Sequence, residues 1–170
     1  PVAAGGALAV NTGNSGSGSV FSGTLEGRGQ LNISGNAGQT LENVITAAGS
    51  NWVINNTGRL NIKMGGTVED PRANTALTLS SLTLGDGSST NLTFNTDYAG
   101  PIISVTGNIS ISQGAEITLS STGRNELTLG ADGSYTLMHA DGTIDLGGSD
   151  RLAILLDPSC LLYTSPSPRD

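Results

Sequence analysis

A short triplet recurs along this chain: a large apolar residue, then Thr, Ser or Asn, then a second large apolar residue. Successive side chains of a β-strand point to opposite faces, so each triplet buries two apolar residues and exposes one polar residue. Many short half-buried strands in series are typical of an all-β stack and often of a solenoid. The ten copies are Leu31–Ile33, Leu60–Ile62, Leu77–Leu79, Leu82–Leu84, Leu92–Phe94, Ile103–Val105, Ile109–Ile111, Ile117–Leu119, Leu127–Leu129 and Tyr135–Leu137.

The alternation changes phase between two neighbouring triplets. The triplet Leu77–Leu79 begins at an odd position and Leu82–Leu84 at an even one, which predicts a corner at Ser80-Ser81. Gly and Asn separate other triplets, and both tolerate the positive φ of tight turns. No Gly-free window of about 11 residues has apolar residues at the spacing of an amphipathic helix. We therefore expect corners between sheets, with rungs of about 20 residues and roughly seven or eight rungs.

Three regions differ in composition. Residues 1–29 are rich in Gly and Ser and are expected to be a loop or frayed first rungs, whereas residues 30–158 carry the strands and are expected to form the β-helix rungs. Residues 159–170 contain the only Cys, and from Cys160 onward they resemble the translation of a sequencing adapter, so we expect a non-native tail. Because the chain starts at Pro1 without an initiator Met, and because the tail after Ser159 is expected to be non-native, we expect an internal fragment truncated at both ends.

The composition excludes some classes of function. Charged residues make up 12% of the chain, aromatic residues 4%, and the net charge is −7. The seven Lys and Arg residues are dispersed and form no basic patch. Contacts to phosphates supply most non-specific affinity for nucleic acid, so we expect no nucleic-acid partner. Disorder is disfavoured because the apolar residues are periodic rather than scattered.

No residue pattern predicts catalysis. His139 is the only histidine, and the sequence has no nucleophile-elbow motif beside which it could act. It follows an apolar strand and precedes a turn, so we expect a residue at the edge of a rung. Lyases and hydrolases on β-helices need convergent carboxylates. The candidate acids, most of which adjoin Gly and are expected to form turns, are Asp86, Asp97, Asp132, Asp141, Asp145 and Asp150.

Two places could hold an exposed functional group. Asp145 lies between two apolar residues and is expected to point outward, where it could form a cluster with Asp150 and Arg151. The stretch Glu69–Arg72 is the most charged part of the chain and is expected to protrude as a loop. Either place is more typical of a solvated surface than of a binding site.

Three Asp-Gly turns are faintly similar to those of calcium-binding solenoids. The nonapeptide period of those solenoids is absent, and calcium needs several oxygen ligands together. We therefore predict ordinary turns, no metal or other cofactor, and no catalytic, cofactor-binding or metal-binding residue. The turns are Gly85–Gly87, Ala131–Gly133 and Ala140–Gly142.

Four blocks between residues 75 and 156 carry a family resemblance: Leu79–Gly87, Ile103–Ile111, Gly114–Leu119 and Gly133–Ile144. The last block is similar to a Gly-x-Tyr-x-Leu…Gly-x-Ile segment. Together they resemble the C-terminal part of an autotransporter passenger domain, the exported portion of a type V secretion protein of Gram-negative bacteria, in which this segment precedes the translocator.

The resemblance implies a right-handed parallel β-helix that is exported through the periplasm and exposed at the bacterial cell surface, in the outer membrane or in secreted form. It implies a partner within the same protein, a C-terminal outer-membrane β-barrel translocator that this chain lacks. It also implies that rungs from Leu82 to Ile154 nucleate folding after export. The expected function is structural or adhesive and not enzymatic, with ligands on host surfaces or neighbouring cells.

Two alternatives stay open at this point. The chain could be a secreted carbohydrate-active β-helix enzyme, a lyase or hydrolase, in which case Asp145 and Asp150 would be the first carboxylates to test. It could also fold as a β-sandwich or jelly roll, which would show a meander of antiparallel strands.

Overall fold

A computed structural model describes residues 6–11, 18–63, 76–95, 101–122, 136–148 and 154–156. In these residues the chain forms short β-strands and no helix. The strands are β1 (Gly6–Asn11), β2 (Ser19–Phe21), β3 (Thr24–Leu25), β4 (Arg28–Ser34), β5 (Gln39–Glu42), β6 (Ile45–Thr46), β7 (Asn51–Asn56), β8 (Arg59–Lys63), β9 (Leu77–Leu79), β10 (Ser81–Leu84), β11 (Ser89–Asn95), β12 (Ile103–Val105), β13 (Ile109–Ile111), β14 (Glu116–Thr122), β15 (Met138–Ala140), β16 (Ile144–Asp145) and β17 (Ile154–Leu156).

Each strand pairs in parallel with the strand three places away in the chain. Sheet A has the order β1-β4-β7-β10-β13-β16, and sheet B has the order β2-β5-β8-β11-β14-β17. Sheet C consists of β9-β12-β15, preceded by the pair β3-β6. Three successive strands therefore make one rung, and the rungs stack into a parallel β-helix. The predicted fold class is confirmed, and the β-sandwich or jelly-roll alternative is wrong because every strand pair in the described residues is parallel.

The rungs are longer than the sequence predicted. One row of sheet A passes from Leu31 to Ile54, 23 residues later, and in its last step from Ile109 to Ile144, 35 residues later. The longest connections, residues 64–76 and 123–137, both run from sheet B to sheet C. The described residues therefore form five complete rungs and two strands of a sixth, rather than seven or eight rungs.

The predicted corner between the two phases of triplets is confirmed. β9 ends in sheet C at Leu79, β10 begins in sheet A at Ser81, and Ser80 alone makes the turn. The backbone N–H and the Oγ of Ser80 both donate to the Trp52 carbonyl oxygen in the rung before it, at 2.8 and 2.9 Å. The corner residue is therefore hydrogen-bonded to the preceding rung, as the strands are.

The corners between sheets A and B also stack directly on one another. Gly58 lies over Gly35, and a Cβ added to Gly58 would lie 2.5 Å from the Gly35 carbonyl oxygen. The Arg59 backbone N–H donates to the same oxygen at 3.2 Å. Between β5 and β6 the turn passes through Asn43 at φ 50°, a left-handed conformation that Asn adopts more readily than most residues. These corners therefore require residues that are small or that tolerate a left-handed backbone conformation.

The triplets build the interior as their alternation predicts. Eight of the ten lie on β-strands, and the apolar residues of these triplets are buried wherever the structure describes the side chain. Aligned rows of such residues run through the stack, for example Leu31, Ile54, Leu82 and Ile109 in sheet A. Stacking in register therefore replaces a globular core with continuous apolar rows.

Two triplets are not among these eight. Leu127–Leu129 lies outside the described residues, so its strand stays a prediction. The expectation of a strand at Tyr135–Leu137 is wrong, since the strand occupies Met138–Ala140. The Leu137 carbonyl oxygen accepts hydrogen bonds from the backbone N–H groups of Ile102 and Ile103, and Ile103 pairs in register with Met138. The neighbouring rung therefore sets the strand start, and the local pattern does not.

A few interior positions among the described residues are polar, and Asn56 is the most buried of them. Asn56 occupies the row between Ile33 and Leu84 and is fully buried. Its Nδ2 donates to the Ser89 carbonyl oxygen and to Thr90 Oγ1, at 3.2 and 3.0 Å, and its Oδ1 accepts from the Gly58 N–H at 3.0 Å. An amide at this place stabilises the corner that follows β7, because it satisfies polar groups that no water reaches.

Replacing Leu82 by Ala is expected to destabilise the protein by about 2–5 kcal/mol, because the fully buried side chain leaves a cavity between two rungs. The outward-facing Thr83→Ala variant is the control and should change stability by less than about 0.5 kcal/mol. Urea unfolding followed by far-UV circular dichroism measures both. Equal shifts of the two unfolding midpoints would contradict the assigned faces of β10.

Candidate functional site

The outward faces of the two long sheets each carry a row of polar residues, and these two rows are uncharged except on the last strand of sheet A, where Asp145 is the register partner of Ser110. In sheet A such a row joins Asn32, Asn55, Thr83 and Ser110, one residue per rung. In sheet B an equivalent row, one residue per rung, contains Thr40, Asn61, Asn91 and Thr118. Parallel strands lie about 4.8 Å apart, so each row presents amides and hydroxyls at that spacing along the stack.

Hydrogen bonds order the amides in the sheet A row. Asn55 Nδ2 donates to Asn32 Oδ1 at 2.9 Å, and Gln30 Nε2 donates to the same oxygen at 2.8 Å. All three side chains are half-buried. These hydrogen bonds therefore fix the orientations of the amides.

The sheet B row is ordered in the same way. Asn61 Nδ2 donates to Thr40 Oγ1 at 3.2 Å, and Ser120 Oγ donates to Asn91 Oδ1 at 3.0 Å. Beside this row Lys63 Nζ and Glu42 Oε1 form an ion pair of 2.8 Å. Pairing cancels these two charges beside the row.

His139 lies in the centre of β15, which corrects its predicted place at the edge of a rung. Its register partner is Ser104, and its Nε2 lies 3.0 Å from Asp141 Oδ1. The His139 and Asp141 side chains are 55% and 63% exposed. A nucleophile–base–acid relay depends on a base held against the nucleophile and shielded from water. His139 and Asp141 are residue types found in catalytic triads, but their side chains are exposed to water.

The acidic residues that were predicted to lie in turns or on the surface do not lie together in the structure. Asp86 and Gly87 form the expected turn, and Gly87 has φ 70°. Asp145 is exposed on β16, as predicted, and its Oδ1 accepts a hydrogen bond from the Gly147 N–H at 2.9 Å. Asp141 pairs with His139 as described above. The remaining candidates lie outside the described residues: Asp97, Asp132, Asp150, Arg151 and the stretch Glu69–Arg72.

Described residues therefore bring none of the predicted carboxylates together. Within them, no three His, Cys, Asp or Glu side chains meet as metal ligands would. The cluster of Asp145 with Asp150 and Arg151 stays a prediction, because two of its members are not described.

An apolar cavity of about 280 Å³ lies at the last rung. Ile144 and Ile154 of that rung and Ile109 and Ile111 of the preceding rung line it, together with residues 136–138. Ile144 is 51% exposed although it continues the interior row that contains Ile109. The interior is thus open at this end of the described stack.

Sequence reasoning missed two features of this surface. The first is the alignment of polar residues into rows, since rungs of unequal length hide the partners in the sequence. The second is the burial of three polar side chains. They occupy positions that an apolar pattern assigns to the core, and they are Asn56, Gln39 and Thr90.

None of the described segments forms a helix with the length and hydropathy that a membrane crossing requires. Comparison with models of known protein families, with curated proteins and with solved structures finds no match to this chain.

Calcium is expected to leave the stability of this protein unchanged, because the described Asp-Gly turns supply single carboxylates rather than a cage of ligands. The measurement is thermal unfolding in EDTA and in millimolar calcium. A ligand that binds only the folded state raises the unfolding midpoint. A calcium-dependent rise that Asp86→Asn abolishes would contradict the interpretation of Gly85–Gly87 as an ordinary turn.

Proposed function

We propose that this chain is a structural and adhesive module of a bacterial cell surface, part of an autotransporter passenger domain. The observation that carries the proposal is a parallel β-helix whose outward faces display ordered rows of amides and hydroxyls. A stack of this kind projects a long, regular surface from a continuous apolar interior. Such a surface provides many weak, repeated polar contacts, which suits adhesion better than chemistry on one small substrate.

The sequence blocks from Leu79 to Ile144 support the assignment to the C-terminal part of a passenger. In the proposal the chain is exported through the periplasm, and its partner is a C-terminal outer-membrane translocator of the same protein. Its ligands are polar, uncharged groups on host surfaces or neighbouring cells. The rungs from Leu82 to Ile154 fold first outside the cell and template the earlier rungs.

The proposed function is non-enzymatic. A carbohydrate-active enzyme would need carboxylates that converge on a bound sugar. Asp86, Asp141 and Asp145 lie on different corners and strands, and each is exposed. No observation among the described residues favours this second function, so it is not proposed.

Surface display tests the proposal. The whole chain is placed between a signal peptide and an autotransporter translocator in a Gram-negative host. We expect protease treatment of intact cells to reach the chain, and the cells to aggregate or to bind an epithelial monolayer more than cells that carry the translocator alone. A chain that stays in the periplasm would contradict the secretion assignment, and display without adhesion would contradict the adhesive role.

A matched pair of variants tests the folding role in the same cells. Ile33 and Ile111 occupy one interior row, in rungs 2 and 5, and each is 1% exposed. Truncating either to Ala removes the same group from the same interior row and costs about 2–5 kcal/mol. We expect Ile111→Ala to reduce the displayed fraction more than Ile33→Ala does. Equal losses would contradict nucleation by the C-terminal rungs.

A further inference from the structure

The outward face of sheet B carries two charges of opposite sign in one row. Arg59 on β8 is the register partner of Ser89 on β11, and Ser89 is the register partner of Glu116 on β14. Both charged residues are exposed. Among the described residues neither has an ion-pair partner, whereas Lys63 and Glu42 on the same face pair with each other. One cation and one anion of this face are therefore available to a second molecule.

The two charges lie symmetrically about β11. Parallel strands are about 4.8 Å apart, so Arg59 and Glu116 lie on opposite sides of β11 at equal distances from it. A half-turn about the direction of β11 exchanges the positions of β8 and β14. When two copies of this face meet in that way, Arg59 of one copy lies opposite Glu116 of the other, and the reverse pair forms as well. The face is therefore complementary in charge to itself.

We propose that two copies of this chain pair face to face through sheet B, related by a two-fold axis along β11. Such a contact is isologous, so the pair of Arg59 with Glu116 forms twice and association ends at the dimer. Beside these ion pairs Asn91 of one copy lies opposite Asn91 of the other, and Asn61 lies opposite Thr118. Their amides and hydroxyls can donate and accept hydrogen bonds across the contact. This self-association does not rest on the proposed surface function.

The charges favour this axis over the perpendicular one. A two-fold axis that runs along the stack through Asn61 would place β8 of one copy opposite β8 of the other, in the reverse direction. Arg59 would then lie opposite Lys63, and like charges that face each other across an interface repel. The axis along β11 places charges of opposite sign together, so the row specifies the orientation of the two copies.

The face is neutral although the chain is acidic. Its described charged residues are two cations, Arg59 and Lys63, and two anions, Glu42 and Glu116. The whole chain has a net charge of −7. At an ionic strength of about 0.15 M the Debye length is about 8 Å, so repulsion between the remaining surfaces of two copies is largely screened, while charges in contact are screened much less. Two copies therefore meet with least repulsion through this face.

The size of the contact predicts a weak dimer. Five strands from β5 to β17 that are about 4.8 Å apart and about five residues long bury roughly 800 Å² over both copies. Stable interfaces bury about 1,200–2,000 Å², and smaller ones belong to transient complexes. We therefore expect a reversible equilibrium between monomer and dimer rather than a permanent dimer.

Sedimentation velocity of the full chain tests the dimer, under reducing conditions that keep Cys160 from linking two copies. We expect the sedimentation coefficient to rise toward the dimer value between micromolar and millimolar protein. Arg59→Glu and Glu116→Arg each turn both ion pairs into like-charge contacts and should weaken association by more than about tenfold. A wild-type protein that stays monomeric at every concentration would overturn the proposal.

Mixing the two variants tests the geometry. The Arg59→Glu copy carries two negative charges in this row, and the Glu116→Arg copy carries two positive ones. Across the proposed interface these copies form two ion pairs, so an equimolar mixture should dimerise at a concentration at which each variant alone is monomeric. Both variants stay net negative, since each substitution shifts the net charge of −7 by two units. A mixture that stays monomeric would overturn the proposed orientation.

Arg28→Glu is the matched control. Arg28 is exposed on β4 in sheet A, so its substitution changes the net charge equally on another face. Association should stay within about twofold of wild type. A loss as large as that of Arg59→Glu would show that net charge controls association, which would overturn the assigned face.

Circular dichroism checks that each variant is folded. If Arg59→Glu fails to fold, Arg59→Gln replaces it, because Gln keeps a polar side chain and removes the charge. This variant should weaken association severalfold, since it leaves each Glu116 without its partner. Association unchanged by a folded variant at either Arg59 or Glu116 would overturn the proposal.

Discussion

Parallel backbone pairing in register is the constraint on which this structure depends. Each strand buries its apolar residues only because the strands before and after it in the same sheet present apolar residues at the same height. Leu82, for example, is fully buried between Ile54 and Ile109, which lie 28 residues before and 27 residues after it in the chain. No rung of this kind holds a core alone, so the stability of one rung is a property of its neighbours.

Regular stacking also determines what the surface can do. Because the register is kept, outward residues form rows as strictly as inward ones, and amides such as Asn32 and Asn55 fix each other's orientation. Such rows give a protein a repeated polar surface. The proposed adhesive role uses the length of these rows and requires no catalytic residue.

The sequence predicted the local parts of this fold and missed the long-range parts. The triplets identified eight strands and their faces, and the phase change identified the corner at Ser80, because these depend only on neighbouring residues. Rung length was underestimated, because connections such as residues 64–76 do not alter the local alternation. The strand at Met138 was misplaced because its start depends on pairing with Ile103, which no short pattern encodes.

Only the composition of the candidate surface could be predicted from the sequence. Few charges and many hydroxyls and amides indicated a polar surface, but the rows appear only after register is known. Asn56 was unpredictable for a similar reason. Its buried amide satisfies the Gly58 N–H, the Ser89 carbonyl and Thr90 Oγ1, which belong to a corner and to the next rung. A residue whose partners lie far along the chain looks, in the sequence, like an ordinary surface amide.

Disulfide cross-linking tests the register of the stack most directly. With Cys160 replaced by Ser, a Cys pair at Thr83 and Ser110 should oxidise readily, since these residues are register partners on adjacent strands and bridging needs Cα atoms within about 7 Å. A pair at Asn55 and Ser110 lies two rungs apart, at about 9.6 Å, and should stay reduced. Selective bridging of the first pair is the predicted result. Bridging of the second pair, or of neither, would contradict the parallel stack.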